Sequence, residues 1–349
     1  MIDNGQPFDL ETPYREPLGG SETSFILLAR GLSELDLKNK VFVSSISNPI
    51  HVKYVENLEQ IPLHQWDDYL SNNLDVVIVN RSPFSIPVEI LNLNIPIFVY
   101  MHDAYDQEIS KWLYSKDFVN RISLIFTVSD WQKETFNKYF NIPYEKMFTI
   151  GNSVDSLLYT THSVKKDNNK FIFASIPYKG ITELMDIWTL LLQKSGNPDF
   201  HLEIFSSMNL YGDEKGDEQY TEFYRKLKSL SNVRVHNVVS MKDLTYELLT
   251  SRIYIHPQTY HETFGMVLVQ SILSNTIPVS TSTGAIPELL PNNYLTKCKD
   301  IRSFSCKQEM VDIILNILHN EEFVNEKIIK DFINRFDYHN VARKVYNFL

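Results

Sequence analysis

The hydrophobic and polar positions of this chain follow two periods that alternate along it. Residues 24–35 place apolar side chains at spacings of three and four, which predicts an amphipathic helix. Short apolar runs at 74–79 and 95–100 predict strands that helices cover on both faces. The second half repeats the alternation. Helices are predicted there at 181–195, 218–230, 241–250 and 264–274. This order predicts an α/β protein with two doubly wound domains.

The polar stretch 160–170 is the predicted boundary between the domains. We expect an N-terminal Rossmann-like domain over residues 1–158, with a first strand that is weak or missing because the opening residues are mostly polar. A second domain is expected over 159–335. Residues 336–349 are predicted to form a helix that packs back toward the N-terminal domain. Ligands of open α/β sheets bind at the carboxyl ends of the strands, so the loops after strands are the candidate functional segments.

The composition is that of an ordinary globular protein, and the net charge limits the kinds of partner that the protein can bind. The 349 residues are 43% hydrophobic and 22% charged, and this length favours two domains. The net charge of −10 argues against a basic surface for nucleic acid or anionic lipid. No apolar run reaches the roughly 20 residues that span a bilayer, and the N-terminus lacks signal-peptide features. We therefore expect a cytoplasmic protein without a transmembrane segment, and peripheral membrane contact stays open.

Cysteine and histidine usage predicts no metal and no resident cofactor. Cys298 and Cys306 are the two cysteines, and their spacing matches no zinc or redox motif. We expect them to be buried thiols in a reducing compartment. The histidines lack the H-E-x-x-H spacing, and neither an Asp-x-Asp motif at a strand end nor a Walker or G-x-S-x-G motif is present.

The segment 256–266, His-Pro-Gln-Thr-Tyr-His-Glu-Thr-Phe-Gly-Met, runs from a predicted strand into a predicted helix. Glu262 lies just before that helix. A carboxylate there has a local explanation, because it complements the helix dipole by about 0.3–1 kcal/mol. The pattern extends further along the chain, however. Its later members are Gln270, Pro278, Val279, Gly284 and Glu288.

This extended pattern resembles the signature of the group 1 nucleotide-sugar glycosyltransferases, which have the GT-B fold. The resemblance implies two Rossmann-like domains that face each other across a cleft. In such enzymes the first Glu of the signature, here Glu262, hydrogen-bonds hydroxyl groups of the donor sugar. Amides at the start of the following helix meet the diphosphate. The matching donor-binding residues here are Thr263, Phe264, Gly265 and Met266.

Three further donor-binding residues are assigned by the same resemblance. Lys179 matches the cation that clamps the diphosphate in the short Ser-x-Pro-x-Lys-Gly form, and Ser175 stands near the position of the usual partner arginine. The plain alternative is a solvated lysine beside a turn glycine. Gln270 stands where the family has a second Glu that holds the nucleotide ribose. An amide can still bond a ribose hydroxyl, but it carries no charge.

The N-terminal half contributes a glycine pair and a histidine. Gly19 and Gly20 open the sequence Gly-Gly-Ser-Glu, which resembles the family's Gly-Gly-x-Glu loop, whose amides approach the donor phosphate and the acceptor. Taken alone, two glycines are ordinary turn residues. His102 follows an apolar strand, where a histidine is more often a packing residue. The resemblance places its ring near the reacting face of the donor sugar.

The resemblance implies a hexosyltransferase-like enzyme. It would move a sugar from a nucleotide-diphosphate sugar to an unknown acceptor (a glycan, lipid or protein), with retention and without metal, and His102 and Glu262 are its predicted catalytic residues. The alternative is a degenerate, non-catalytic GT-B-like protein that binds nucleotide sugars or acts as a scaffold. Gln270 and the missing clamp arginine motivate that alternative. The net charge disfavours transfer onto DNA.

Overall fold

The computed structural model describes residues 1–3, 5–45, 52–62, 65, 74–85, 94–160 and 164–349. The chain divides into two compact units. Unit 1 comprises Met1–Thr12, Leu18–Asp155 and Asn334–Leu349, and unit 2 comprises Pro13–Pro17 and Ser156–Ile333. Each unit is built on its own sheet, and the predicted fold class of two Rossmann-like α/β domains is confirmed.

The strands of unit 1 belong to one sheet. They are β1 (Ile2–Asp3), β2 (Val41–Ser45), β3 (Val52–Val55), β4 (Leu58–Pro62), β5 (Val77–Asn80), β6 (Ile97–Tyr100), β7 (Leu124–Thr127) and β8 (Met147–Thr149). Their order is β3-β4-β2-β1-β5-β6-β7-β8, and β3 runs antiparallel to β4. The two-residue strand β1 pairs in parallel with β2 on one side and with β5 on the other. The strand order therefore reverses beside β1, and this makes a topological switch point.

Unit 1 contains the helices α2 (Gly20–Leu35), α3 (Lys116–Arg121) and α4 (Asp130–Phe140). They follow α1 (Thr12–Arg15), a single helical turn whose last three residues are assigned to unit 2. Helix α2 buries the apolar face that the sequence predicts, since Phe25 and Leu28 are fully buried. Ser129 caps α4, because its side chain accepts a hydrogen bond from the backbone N–H of Gln132 at 3.1 Å.

Unit 2 holds a second, parallel sheet. Its strands are β9 (Lys170–Ala174), β10 (His201–Phe205), β11 (Val233–His236), β12 (Ile253–His256), β13 (Ile277–Thr281) and β14 (Leu295–Thr296), in the order β11-β10-β9-β12-β13-β14. The next helices are α5 (Leu157–Thr160), α6 (Ile181–Ser195), α7 (Thr221–Lys228), α8 (Met241–Thr250), α9 (Met266–Leu273), α10 (Ile286–Leu289), α11 (Phe304–His319) and α12 (Glu326–Phe336). The strand order reverses at β9, which pairs with both β10 and β12. The switch point of this unit lies between β9 and β12.

The last helix, α13 (Tyr338–Tyr346), belongs to unit 1 and packs closely on α2. A Cβ atom at Gly31 of α2 would lie 2.7 Å from the carbonyl oxygen of Tyr338 and 2.8 Å from the Cβ of Ala342. Glycine at this position therefore allows the two helices to approach. The Tyr338 hydroxyl also donates a hydrogen bond to Glu34 Oε2 at 2.9 Å.

The two cysteines differ from the sequence prediction. Cys298 and Cys306 form a disulfide, with their Cα atoms 5.7 Å apart. The prediction of two buried thiols is therefore wrong. Cys298 follows β14, and Cys306 lies in the first turn of α11. The packing of this strand and helix brings the two sulfur atoms together, and the spacing of known redox motifs does not predict such a pair. Disulfides persist in oxidising compartments, so the cysteines no longer support a reducing one.

The polar stretch predicted as a linker is partly tied to unit 2. Lys166 donates hydrogen bonds to the carbonyl oxygens of Leu249 at 3.1 Å and Ser251 at 2.7 Å, at the C-terminal end of α8. A lysine ammonium there satisfies carbonyls that have no partner within the helix. Lys170, predicted at the end of the linker, is the first residue of β9. Residues 161–163 of this stretch lie outside the described part of the chain.

Candidate active site

The candidate site of unit 2 lies in the two loops that follow β9 and β12. These strands flank the switch point of their sheet, where the loops after neighbouring strands leave a crevice at the carboxyl edge. The first loop carries Ser175 and Lys179, and it ends where α6 begins. The second loop carries Glu262 and ends where α9 begins. The topology thus brings the two sequence motifs to one edge of one sheet.

Backbone packing holds these two loops together. Gly180 adopts a positive φ of 114°, and a Cβ atom on it would lie 2.2 Å from the carbonyl oxygen of Pro257. Both the conformation and the contact require glycine. Two residues before Gly180, the carbonyl oxygen of Tyr178 accepts a hydrogen bond from the hydroxyl of Thr259 at 3.1 Å. The Lys179-Gly180 pair therefore lies where the two loops pack against each other, and it is not an exposed surface turn.

A partly buried ion pair joins the two motifs. The Nζ of Lys179 lies 2.9 Å from Oε2 of Glu262. The side chain of Glu262 is 11% exposed and that of Lys179 is 25% exposed. A third side chain, Gln258, is fully buried and donates a hydrogen bond from Nε2 to the same carboxylate oxygen at 2.5 Å. An ammonium, a carboxylate and an amide thus converge at the carboxyl edge of the sheet.

The surroundings fix the charges of this cluster. Burial by itself raises the pKa of Glu262, but the Lys179 ammonium and the hydrogen bonds from Lys179 and Gln258 bring that pKa below its ordinary value. Burial also opposes the charge on Lys179, yet the Glu262 carboxylate raises the lysine pKa above its ordinary value. Burial lowers the pKa of His256, which ends β12, to about 4. At neutral pH the site holds an ionised pair beside a neutral imidazole.

The start of α9 presents backbone N–H groups next to Glu262. Gly265 is the N-cap residue with a φ of 85°, and within this fully described segment no side chain caps the helix. Uncapped N–H groups at a helix start are suited to bind an anion. Phe264 is buried, whereas Thr263 and Met266 are half-buried. The segment Thr263 to Met266 therefore supplies amides, and the burial of Phe264 anchors it.

A glycine turn after β13 supports Glu262 from the other side. Gly284 has a φ of 60°, and a Cβ atom there would lie 2.2 Å from the carbonyl oxygen of Glu262. The N–H of Ala285 donates a hydrogen bond to the same oxygen at 2.8 Å. Gly284, a member of the sequence signature, thus allows its turn to pack directly against the backbone of Glu262.

Ser175 and Gln270 occupy less prominent places in unit 2. Ser175 directly follows β9, and its N–H donates a hydrogen bond to the carbonyl oxygen of Phe205 at 3.2 Å. Gln270 lies within α9, one turn after its start, and is 5% exposed. The distances that define the cluster involve Lys179, Gln258 and Glu262. Of these, the sequence motifs did not single out Gln258, although its place between a strand end and Glu262 is a usable signal.

Unit 1 contains the remaining predicted residues. Gly19 is the N-cap of α2 and Gly20 its first residue, and the carbonyl oxygen of Gly19 accepts a hydrogen bond from the N–H of Thr23 at 3.0 Å. His102 lies two residues after β6, is 8% exposed, and its Nδ1 lies 2.9 Å from Oδ1 of Asn152. Burial lowers the pKa of His102 to about 3. The imidazole is therefore neutral, and the amide oxygen assigns its proton to Nδ1.

A charged cluster that the sequence analysis did not identify lies at the switch point of unit 1. Arg81, which has a φ of 67°, donates hydrogen bonds to both carboxylate oxygens of Asp103 at 2.8 and 2.6 Å, and to Glu22 at 3.4 Å. Asp3, at the end of β1, accepts a hydrogen bond from Nδ2 of Asn80 at 2.6 Å. Burial, followed by the charge of Glu22, raises the pKa of Asp3 to about 6. The available signal was the position of Asn80 and Arg81, which directly follow the apolar run 74–79.

One group of potential metal ligands occurs among the described residues. Donor atoms of Cys298, Cys306 and Glu309 lie within 4.8 Å of one another. The disulfide bond occupies both sulfur atoms, and a metal would require free thiolates. This group therefore carries no metal site in the structure described here.

Comparison with known protein families gives two matches that follow one another along the chain. The family described as "Glycosyl transferases group 1" matches residues 161–331, and "Glycosyltransferase Family 4" matches residues 18–156. A search of curated protein sequences finds no significant match. Among the helices of the described residues, none combines the length and apolar character needed to cross a membrane.

Solved structures share the fold over nearly the whole chain. HepE from Anabaena, in complex with UDP and glucose, has 15% identity and a TM-score of 0.69, and the alignment covers 99% of this chain and 98% of HepE. Sucrose-phosphate synthase from Thermosynechococcus elongatus has 11% identity and a TM-score of 0.73, with 99% and 97% covered. A glycosyltransferase from Rickettsia africae has 15% identity and a TM-score of 0.71, with the same coverage. At these identities the likeness shows the fold.

Proposed function

We propose that this chain, which belongs to the group 1 glycosyltransferases of the GT-B fold, catalyses sugar transfer from a nucleotide-diphosphate sugar to an acceptor. One observation carries the proposal: the Lys179–Glu262 ion pair at the switch point of unit 2, beside the uncapped start of α9. It combines a cation and the backbone N–H groups of a helix start, which suit a diphosphate, with a carboxylate, which suits sugar hydroxyls.

The charge requirements of glycosyl transfer fit this arrangement. As the bond between the sugar and the diphosphate breaks, negative charge builds on the leaving diphosphate. Preorganised donors directed at such charge are usually the largest single catalytic contribution. In our proposal Lys179 and the amides of residues 263–266 stabilise that charge, and the ionised carboxylate of Glu262 orients the sugar. Gln270 is proposed to bond the nucleotide ribose.

Three finer points extend the proposal. His102, Gly19 and Gly20 of unit 1 are proposed to contribute to the reaction, and the neutral imidazole of His102 suits hydrogen bonding better than charge stabilisation. Transfer with retention and without metal is proposed from the family resemblance. UDP-sugars are the first donors to test, because the HepE structures hold UDP, UDP with glucose, and UDP-glucose.

The experiment that tests the function measures hydrolysis of UDP-, GDP- and ADP-sugars by the full chain without an added acceptor. We expect slow release of a nucleoside diphosphate from at least one donor. The Glu262→Gln variant, purified in parallel, controls for contaminating hydrolases and should release much less. A thermal shift with a donor but no hydrolysis, even with mixed glycan, lipid and peptide acceptors, would favour the non-catalytic alternative. If the chain shows no hydrolysis and no thermal shift with any donor, both the enzyme proposal and the non-catalytic alternative are overturned.

A further inference from the structure

The two oxygens of the Glu262 carboxylate differ in their surroundings. Oε2 accepts hydrogen bonds from Lys179 Nζ at 2.9 Å and from Gln258 Nε2 at 2.5 Å. Within the described part of the chain, no hydrogen bond reaches Oε1. Because the side chain retains 11% exposure, the carboxylate presents one satisfied oxygen to the protein and one oxygen with free acceptor capacity.

Gln258 is itself held in one orientation. It is fully buried, and its Oε1 accepts a hydrogen bond from the N–H of Thr259 at 3.2 Å. Its backbone carbonyl oxygen accepts a further hydrogen bond from the hydroxyl of Thr281 at 2.9 Å, which ties it to β13. A flipped amide would turn its oxygen toward the Glu262 carboxylate and lose the Thr259 bond. The amide N–H therefore faces Glu262.

Lys179 and Gln258 differ in what a bound diphosphate would do to them. A lysine ammonium is a mobile point charge with three donors, and a phosphate would compete for it. The buried amide of Gln258 has no charge to draw it toward a phosphate. When Lys179 turns to an anion, Gln258 is the partner that still holds Oε2.

We propose that Gln258 is a positioning residue for the donor sugar: its amide holds Oε2 of Glu262, so that Oε1 faces the sugar hydroxyl. This inference rests on the proposed function and assigns a role to a side chain outside the Lys-Gly and Glu-x-Phe-Gly motifs. It implies that Gln258 governs recognition of the sugar and leaves recognition of the nucleotide to other groups.

The first test compares wild type with Gln258→Leu, which keeps the bulk of the side chain but removes the donor. The ligands are UDP alone and whichever nucleotide sugar the wild type hydrolyses. We expect kcat/KM for the nucleotide sugar to fall about 10- to 100-fold, the range for a lost hydrogen bond to a charged group. The Kd for UDP should stay within about twofold. An equal loss for both ligands would indicate a merely structural role and overturn the proposal, as would unchanged kinetics.

The second test uses Gln258→Glu, which introduces a group that can donate only when protonated. Two carboxyl groups sharing a site cannot both ionise easily, so one of the two pKa values rises. We expect the activity of this variant to approach that of wild type at low pH and to fall as pH increases, whereas the wild type shows no such fall. Parallel pH profiles would contradict the assigned contact.

If the wild type turns over no donor, that result counts against the proposed function. A third measurement then still tests the positioning role of Gln258. The pKa of Glu262 can be followed by carbon-13 NMR of its carboxylate, assigned with Glu262→Gln. Loss of the Gln258 hydrogen bond in Gln258→Leu should raise that pKa above the wild-type value. An unchanged pKa would refute the positioning role independently of any enzymatic activity.

Discussion

Lys179 and Glu262 come from loops 83 residues apart in sequence, yet Nζ of the lysine lies 2.9 Å from Oε2 of the glutamate. The contact exists because β9 and β12 are neighbours in the sheet and because Gly180 lets the loop after β9 touch Pro257. The ammonium and the carboxylate of this pair are both partly buried. The behaviour of the pair can be tested through both stability and activity.

Removing only the lysine should destabilise unit 2. Lys179→Met leaves the ionised Glu262 buried without its countercharge, which we expect to cost about 3 kcal/mol, the low end for a broken buried pair, because Lys179 is partly exposed. Adding Glu262→Gln to this variant removes the stranded charge and should restore part of the loss. Urea unfolding at pH 7 measures both. The control is Arg225→Met, which breaks an exposed ion pair with Glu222 and should leave the unfolding midpoint unchanged. A double variant no more stable than Lys179→Met would contradict the assigned charges.

Substituting Gly180 should separate the two loops. Gly180→Ala places a Cβ atom 2.2 Å from the carbonyl oxygen of Pro257 at a φ of 114°. We expect lower stability and at least a tenfold weaker affinity for UDP. Gly196→Ala is the matched control, because Gly196 also has a positive φ, of 61°, but its Cβ would meet no atom within 4 Å. That control should lose only about 1–2 kcal/mol, for the left-handed backbone. Equal losses of affinity in the two variants would show that the Pro257 contact is unimportant.

The raised pKa of Asp3 predicts a pH-dependent stability in unit 1. Its folded-state pKa of about 6 lies above the ordinary value of 3.8, so its contribution is fully present below pH 3.8 and is lost as pH rises through 6. Asp3→Asn removes this cost, and Oδ1 of Asn80, which is buried without a hydrogen-bond partner in the described part, gains a donor once the Asn80 amide turns. We expect the variant to be more stable than wild type by about 1–3 kcal/mol at pH 8.

The advantage of Asp3→Asn should shrink as the pH is lowered and disappear near pH 4. Chemical denaturation at several pH values measures it. A variant that is less stable than wild type at pH 8 would show that the Asp3 carboxylate is better accommodated than its burial indicates.

His102 and His256 should stay neutral across the physiological range. Burial lowers their pKa values to about 3 and about 4, so the stability linked to them is present above pH 6.5 and is lost as the pH falls toward those values. Nitrogen-15 NMR of the imidazoles, assigned with His102→Gln and His256→Gln, should show no titration of either ring between pH 5 and 8. A midpoint above 5.5 for His102 would contradict the effect of burial on its pKa, and a midpoint near 7 would mean that its ring carries charge during turnover at neutral pH.

Local signals made the helices and the motifs predictable. Helix α6 spans Ile181–Ser195 and α8 spans Met241–Thr250, as the sequence predicts, because each has an apolar period and a marked end. Gly180 and Gly196 flank α6, and the side chain of Ser240 caps α8. The sequence also placed Lys179 and Glu262 in loops after strands. Their contact depends on β9 and β12 being neighbours in the sheet, and neither segment's sequence indicates which strand it pairs with.

The features that were missed leave weak signals in the local sequence. The antiparallel pair β3 and β4 escaped notice because Val52–Val55 is half exposed and forms no buried apolar run. The predicted helix 218–230 is shorter, since a 3-10 helix over Glu214–Tyr220 precedes α7. The role of Gln258 required the three-dimensional position of Glu262, because its place in a loop after a strand marks it as a candidate but does not show which side chain it contacts.

The most direct test of the role of Lys179 in glycosyl transfer is the hydrolysis rate of a saturating UDP-sugar by wild type and by Lys179→Met, after circular dichroism has shown both to be folded. We expect a loss of about 100-fold or more in kcat, because the lysine stabilises charge that develops on the leaving diphosphate. An unchanged kcat in the folded variant would contradict the assignment of this site to glycosyl transfer.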